Sequence, residues 1–138
     1  MAIIYFHPST LVRMSVERVP DPLSRQLWAR ADAVVSARSA DLEVRAVLSG
    51  GFRQQKLSEL AYQEAVERWE DIYAALWLAE PDAKQYELAA KYVQEHTVRV
   101  TDALHLAAAA RLQPGGGYFY TLDAALREVA SELDLAVI

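Results

Sequence analysis

The chain has 138 residues, of which 53% are hydrophobic and 24% are charged, and its formal net charge is −5. This length and composition predict one soluble globular domain over residues 1–138, large enough for its own hydrophobic core. The lack of cysteine excludes disulfides and thiolate metal sites, and the short apolar runs argue against a membrane span.

The first predicted strand covers residues 2–6, AIIYF, which are apolar throughout and typical of a strand buried on both faces. A His-Pro-Ser-Thr turn at residues 7–10 follows it. Asp21 and Pro22 then begin a helix to about Arg30, because aspartate caps helices and proline is favoured at the first helical position.

A second strand is predicted over residues 31–37, ADAVVSA. The helix after it is capped by Ser39 or Asp41 and carries apolar residues at helical spacing. We expect Gly50 and Gly51 to end this helix, because glycine readily adopts the left-handed conformation found at helix C-termini.

Two amphipathic helices are predicted in the middle of the chain. The first begins at Ser58, and its apolar residues recur at helical spacing as far as Leu76. Pro81 breaks this pattern, and Asp82 begins the second helix, which runs to about Glu95.

The C-terminal part predicts a buried helix followed by further strands. Residues 101–112, TDALHLAAAARL, are apolar nearly all round, which indicates a central helix. A glycine-rich loop leads to a strand at 118–121, Asp123 begins the last helix, and residues 135–138 form a closing strand. The alternation of strands and helices predicts an α/β fold with a parallel sheet covered on both faces.

Acidic and polar residues fall where such a fold places functional sites. His7 follows the first strand, and Thr121 and Asp123 lie at the end of a later one. Asp102 opens a helix, and Glu43 lies within one. Because sites in open parallel sheets form beyond the carboxyl ends of the strands, these positions could converge on one edge of the sheet.

Carboxylates that converge in this way repel each other unless a cation lies among them. An oxygen-rich site without thiols favours Mg²⁺ or Mn²⁺. Such an ion can activate water and stabilise charge on a phosphate oxygen, so the predicted chemistry is metal-assisted hydrolysis of a phosphodiester.

Each of these residues also has a plain structural interpretation. Asp102 and Asp123 stand at helix starts, where aspartate commonly serves only as a cap. Glu43 lies in an apolar stretch, which favours a paired or functional role over a solvated one. His105, three residues after Asp102, is interpreted as a buried core residue in preference to a ligand.

Four segments carry a family resemblance, and the most specific are TDALHLAAAARL and YFYTLDAALREVA. ADLEVRAVL matches the helix that bears the family's glutamate, and YFHPSTLVRM matches its first strand and turn. The chain thereby resembles the PIN-domain ribonucleases, in particular the VapC-like toxins of toxin–antitoxin pairs. This resemblance implies a three-layer α/β/α domain around a central, mainly parallel sheet.

The resemblance also implies a divalent-metal endoribonuclease site. Glu43, Asp102 and Asp123 match three of the family's four acidic positions, which implies catalytic and metal-binding roles for them. His7 stands at the remaining acidic position and would be the fourth metal ligand. The implied cofactor is Mg²⁺ or Mn²⁺.

Substrate and partners follow from the same resemblance. Ser9, Arg13 and Thr121 are expected to contact the RNA substrate. The family implies a cognate antitoxin protein as partner and commonly a homodimer. With no signal peptide and no membrane span expected, the expected location is the cytoplasm.

His7 alters what the resemblance implies for activity. Imidazole is neutral and suits Mn²⁺ better than Mg²⁺, so we expect weakened or absent ribonuclease activity in this chain. Three explanations stay open: natural loss of activity with retained partner binding, a substitution selected in an expression host that an active toxin would harm, or a site retuned to a softer metal. The alternative function is a non-catalytic PIN-fold module that binds a partner protein.

Overall fold

A four-stranded parallel sheet forms the centre of residues 2–138, the residues that this computed structural model describes. The strands are β1 Ile3–Phe6, β2 Ala33–Ala37, β3 Trp77–Ala79 and β4 Gly117–Tyr120. They lie in the order β3-β2-β1-β4, and every neighbouring pair is parallel. The strand order changes direction at β1, so the carboxyl ends of β1 and β4 border the crevice where open parallel sheets form their sites.

Seven helices within the described residues cover the sheet: α1 Pro8–Val16, α2 Pro22–Arg30, α3 Ala40–Arg53, α4 Glu59–Ala75, α5 Ala83–Glu95, α6 Val100–Leu112 and α7 Ala124–Glu132. Successive side chains of β1 enter different cores, because side chains alternate across a strand. Tyr5 packs in the core formed with α5, α6 and α7, whereas Phe6 packs in the core formed with α1, α3 and α4. The three-layer α/β/α arrangement with a parallel sheet is therefore confirmed. No helix in this part of the chain has both the length and the apolarity that a membrane span needs.

Helix capping accounts for most of the helix starts. The side chains of Asp21, Ser58, Asp82 and Asp123 each accept the backbone N–H of the third residue on, as predicted. The turn predicted after β1 is instead the start of α1, because His7 caps this helix and Pro8 occupies its first position.

The middle of the chain departs from the prediction in two places. Helix α3 does not end at its glycines but continues to Arg53, and Gly51 lies against the Leu57 side chain, where a Cβ would come within 3.3 Å of it. The three residues of β3, Trp77–Ala79, follow α4 after one intervening residue and were not predicted as a strand. A strand of this length is too short to show the alternation by which strands are recognised.

The C-terminal segment is less regular than predicted. Residues 135–138 pair with β4 through one parallel bridge, between Phe119 and Val137. The Phe119 N–H donates to Ala136 at 2.8 Å, and its carbonyl accepts from Ile138 at 3.0 Å. The segment therefore extends the sheet locally without forming a full strand.

Candidate active site

A cavity of about 560 Å³ opens beyond the carboxyl end of β1, between the start of α1, the middle of α3 and the start of α6. Its polar lining comprises six residues, which are His7, Ser9, Glu43, Arg99, Thr101 and Asp102. Residues distant in sequence meet here because β1, β2 and β4 end at the same edge of the sheet. Two of the three predicted carboxylates, Glu43 and Asp102, thus line one cavity together with His7.

The hydrogen bonds of His7 define its protonation. The backbone N–H of Ser9 donates to His7 Nδ1 at 3.2 Å as the cap of α1, so Nδ1 is an acceptor and carries no proton. The proton is therefore on Nε2, which donates to Asp102 Oδ1 at 2.8 Å. The residue is only 4% exposed. His7 thus joins the start of α1 to Asp102 and uses both nitrogens within the protein.

Asp102 lies in the first turn of α6 and is held from two sides. Its Oδ1 accepts from His7, and its Oδ2 accepts from Arg99 Nε at 3.1 Å. Burial acts to raise the pKa of Asp102, but the hydrogen bond from His7, together with the hydrogen bond and positive charge of Arg99, outweighs it and holds the pKa below its usual value. The carboxylate is therefore ionised and already bonded to donors of its own chain.

Glu43 is held by a buried chain of hydrogen bonds. Burial, together with the negative charge of Glu43, raises the pKa of Tyr5 far above its usual value, so the phenol keeps its proton. Tyr5 Oη then donates to His105 Nδ1 at 2.7 Å, and His105 Nε2 donates to Glu43 Oε2 at 2.7 Å. His105 is a buried core residue, as favoured above, and it also contacts a predicted site residue.

Thr121 and Ser9 form a polar cluster against His7. Ser9 Oγ lies 2.8 Å from His7 Nδ1 and 3.3 Å from Thr121 Oγ1, and it accepts the N–H of Leu122 at 3.1 Å. Because Nδ1 is an acceptor, the Ser9 hydroxyl donates to it. These contacts link the ends of β1 and β4 at the wall of the cavity.

Asp123 and Arg13 do not line the cavity. Asp123 Oδ1 accepts the N–H of Leu126 at 3.1 Å as the cap of α7. Arg13 lies on an exposed part of α1, where its Nε donates to Glu17 at 2.7 Å. Asp123 thus acts as a helix cap and Arg13 forms an exposed ion pair, and their predicted roles toward metal and substrate stay predictions.

The residues as placed here do not fit a divalent metal ion. Within residues 2–138, no group of three His, Cys, Asp or Glu side chains is arranged to hold one. Both oxygens of Asp102 are bonded to N–H donors, and neither nitrogen of His7 presents a lone pair to the cavity. The donor set found in an oxygen-rich metal site is therefore incomplete at this edge of the sheet.

Comparison with known proteins identifies related sequences and folds. The family model for the PIN domain matches residues 9–132. Ribonuclease VapC49 of Mycobacterium tuberculosis (strain ATCC 25618 / H37Rv) is 35% identical over 109 residues, which cover 79% of this chain and 76% of that protein. Ribonuclease VapC46 of the same strain is 33% identical over 139 residues, covering 100% of this chain and 98% of that protein.

Two solved structures share the fold. FitAcB from Neisseria gonorrhoeae superposes with a TM-score of 0.68 at 14% identity, covering 100% of this chain and 96% of that one. VapBC2 from Rickettsia felis, bound to a DNA fragment from its promoter, superposes with a TM-score of 0.66 at 13% identity, covering 99% and 97%. At these identities the likeness shows the fold alone.

Proposed function

Because this chain belongs to the PIN domain family and is related within it to the VapC ribonucleases, we propose that it is a VapC-like toxin whose site cleaves RNA phosphodiesters. The proposal includes a single PIN-like domain over residues 1–138, a cognate antitoxin as protein partner, a homodimer and a cytoplasmic location. The alternative of a non-catalytic binding module is not favoured, since the relatives are named ribonucleases.

One observation carries the proposal. Glu43 and Asp102, which match two acidic positions of the family, lie 59 residues apart in sequence (102 − 43) and line the same cavity. Acidic residues that served only as helix caps or on solvated helix faces would have no reason to converge on one cavity. Buried side chains also hold both carboxylates by hydrogen bonds. His105, itself bonded to Tyr5, bonds to Glu43, and His7 bonds to Asp102.

Divalent-metal dependence is general among PIN-domain VapC nucleases. We propose Mg²⁺ or Mn²⁺ for this site, with Glu43, Asp102 and Asp123 as catalytic residues and metal ligands. His7 lies at the family's first acidic position, where it bonds to Asp102 in place of a further carboxylate. Since these residues as placed do not fit the ion, we propose that ribonuclease activity in this chain is weak or absent.

The chain's own residues supply a framework for the substrate. Ser9 lines the cavity beside His7, Thr121 is buried behind it within hydrogen-bond distance of both, and Arg13 lies on the outer face of the helix that begins there. We propose that Ser9 contacts the RNA backbone near the cleaved phosphate and that Arg13 contacts it farther along the RNA strand. Thr121, the third residue predicted to contact RNA, is 0% exposed, so we propose that it acts by supporting Ser9. A guanidinium in such a position binds phosphate oxygens through paired N–H donors.

The proposal is tested by cleavage of total cellular RNA in millimolar Mg²⁺ or Mn²⁺. The parent chain is compared with His7→Asp and with a double variant that adds Glu43→Gln. We expect cleavage by His7→Asp, little by the parent, and none by the double variant, which also controls for contaminating ribonucleases. Cleavage that persists in the double variant, or an inactive His7→Asp variant that is folded, would contradict the proposed site.

A further inference from the structure

Arg99 is a charged residue of the cavity that the proposed function does not use. It precedes α6 as its cap residue, and its side chain makes no capping hydrogen bond. Its Nε instead donates to Asp102 Oδ2 at 3.1 Å, while 77% of the side chain stays exposed at the cavity. Arg99 therefore faces Asp102 from the solvent side, opposite the buried ring of His7.

The position of Arg99 matters for any cation that approaches Asp102. A Mg²⁺ or Mn²⁺ ion lies about 2.1 Å from a ligating oxygen. An ion on Oδ2 would thus share this oxygen with a guanidinium nitrogen now 3.1 Å from it, and two like charges so close repel strongly. The ion can bind Oδ2 only if Arg99 moves away.

His7 alone does not occupy both carboxylate oxygens of Asp102. It engages Oδ1 through Nε2 and leaves Oδ2 to Arg99. A change at His7 would free one oxygen and leave the other paired with a guanidinium. The two oxygens are therefore blocked by two independent residues, one neutral and buried and the other charged and exposed.

We propose that Arg99 is an intramolecular cation that takes the place of a divalent metal ion at Asp102. The site is then closed to metal by two residues, and replacement of His7 opens it only in part. This inference rests on the proposed function in that it concerns the same carboxylate. It is tested by metal binding, which needs no RNA cleavage.

The test is Mn²⁺ binding, measured as loss of the free-ion signal in electron paramagnetic resonance. The full-length parent, Arg99→Gln, His7→Asp and the His7→Asp/Arg99→Gln double variant are titrated with millimolar Mn²⁺. We expect no binding by the parent, binding by His7→Asp, and about tenfold or more tighter binding by the double variant, a change of the size seen when groups around metal ligands are altered.

Two further variants control for charge and geometry in the His7→Asp background. Arg45→Gln removes an exposed arginine whose Nε lies 2.7 Å from Asp41 Oδ1, outside the cavity lining. This change should leave Mn²⁺ affinity within twofold. Arg99→Lys keeps a positive charge at the cavity, so we expect it to bind Mn²⁺ more weakly than Arg99→Gln. Thermal unfolding of each variant checks that it is folded.

The outcomes separate this inference from the proposed function. If His7→Asp and the double variant bind Mn²⁺ equally, if the parent binds as tightly as the double variant, or if a folded double variant binds none, the role of Arg99 is refuted. A double variant that binds Mn²⁺ more tightly but does not cleave RNA refutes the proposed function and leaves the inference standing.

Discussion

The hydrogen bond from His7 to Asp102 predicts that His7→Asp costs stability when no metal is present. The new aspartate can still cap α1, because aspartate accepts the Ser9 N–H as well as histidine does. It cannot donate to Asp102, however, and it adds a third carboxylate to a cavity that already contains Asp102 and Glu43.

The size of the stability loss follows from the lost hydrogen bond and from the added repulsion between carboxylates. A hydrogen bond to a charged group contributes about 1.5–3 kcal/mol, and Asp102 keeps only its bond to Arg99. Two carboxylates about 4–5 Å apart repel by about 3–4 kcal/mol at an effective dielectric constant of 20, which is an upper limit because one of them can take up a proton. We expect the free energy of unfolding to fall by about 2–4 kcal/mol at neutral pH.

The pH and metal dependence of this deficit have defined signs. As the pH falls below about 5, one carboxylate of the variant becomes protonated and the repulsion decreases, so the deficit should shrink. Mn²⁺ that binds only the folded variant should restore stability, by about 2.7 kcal/mol at one hundred times its dissociation constant.

The assay is urea unfolding of both chains, with a chelator and then with Mn²⁺. Ser9→Ala serves as a matched control, because it removes a hydroxyl from the same cluster without adding charge. A His7→Asp variant as stable as the parent in chelator would refute the assigned donor on Nε2. A deficit that Mn²⁺ leaves unchanged would refute the binding of metal by the new carboxylate.

Three further predictions concern the residues around the cavity. Tyr5→Phe removes the donor to His105 Nδ1 and should destabilise the fold by about 1–3 kcal/mol in urea, and an unchanged midpoint would show that the Tyr5 hydroxyl does not satisfy this nitrogen. Asp123→Ala removes the cap of α7 and should cost about 1 kcal/mol, most of which Asp123→Ser should recover; equal losses in both would argue against capping. Asp102→Asn should reduce the loss of stability in acid, because the lowered pKa of Asp102 adds stability above its unfolded-state pKa of about 3.9 and this contribution is lost as the pH falls through the lower folded value. A free energy of unfolding that depends on pH with the same slope in Asp102→Asn as in the parent would contradict the lowered pKa of Asp102.

The helix starts could be predicted from the sequence because the interactions that set them lie within a few residues. The caps at Asp21, Ser58 and Asp82 are set by hydrogen bonds within one turn, so they are visible in sequence. The strand β3 depends on pairing with β2 across the sheet, and its first residue, Trp77, is 70% exposed. Nothing in three such residues distinguishes them from the end of a helix.

The site was predictable where topology alone brings residues together. His7, Glu43 and Asp102 converge because their elements meet at one edge of a parallel sheet. The contact of His105 with Glu43 joins residues 62 positions apart and depends on side-chain geometry, which periodicity does not reveal. The contact of Arg99 with Asp102 was not predicted, because an arginine three residues before an aspartate resembles an ordinary surface ion pair on a helix.

The most direct test of the proposed metal site is a crystal structure of the His7→Asp variant grown with Mn²⁺, with the ion located by its anomalous scattering. We expect an anomalous peak in contact with carboxylate oxygens of Glu43 and Asp102, and no peak there in the parent chain grown under the same conditions. A parent chain with Mn²⁺ at this position, or a well-ordered variant without it, would contradict the claim that these carboxylates form a nuclease metal site that His7 closes.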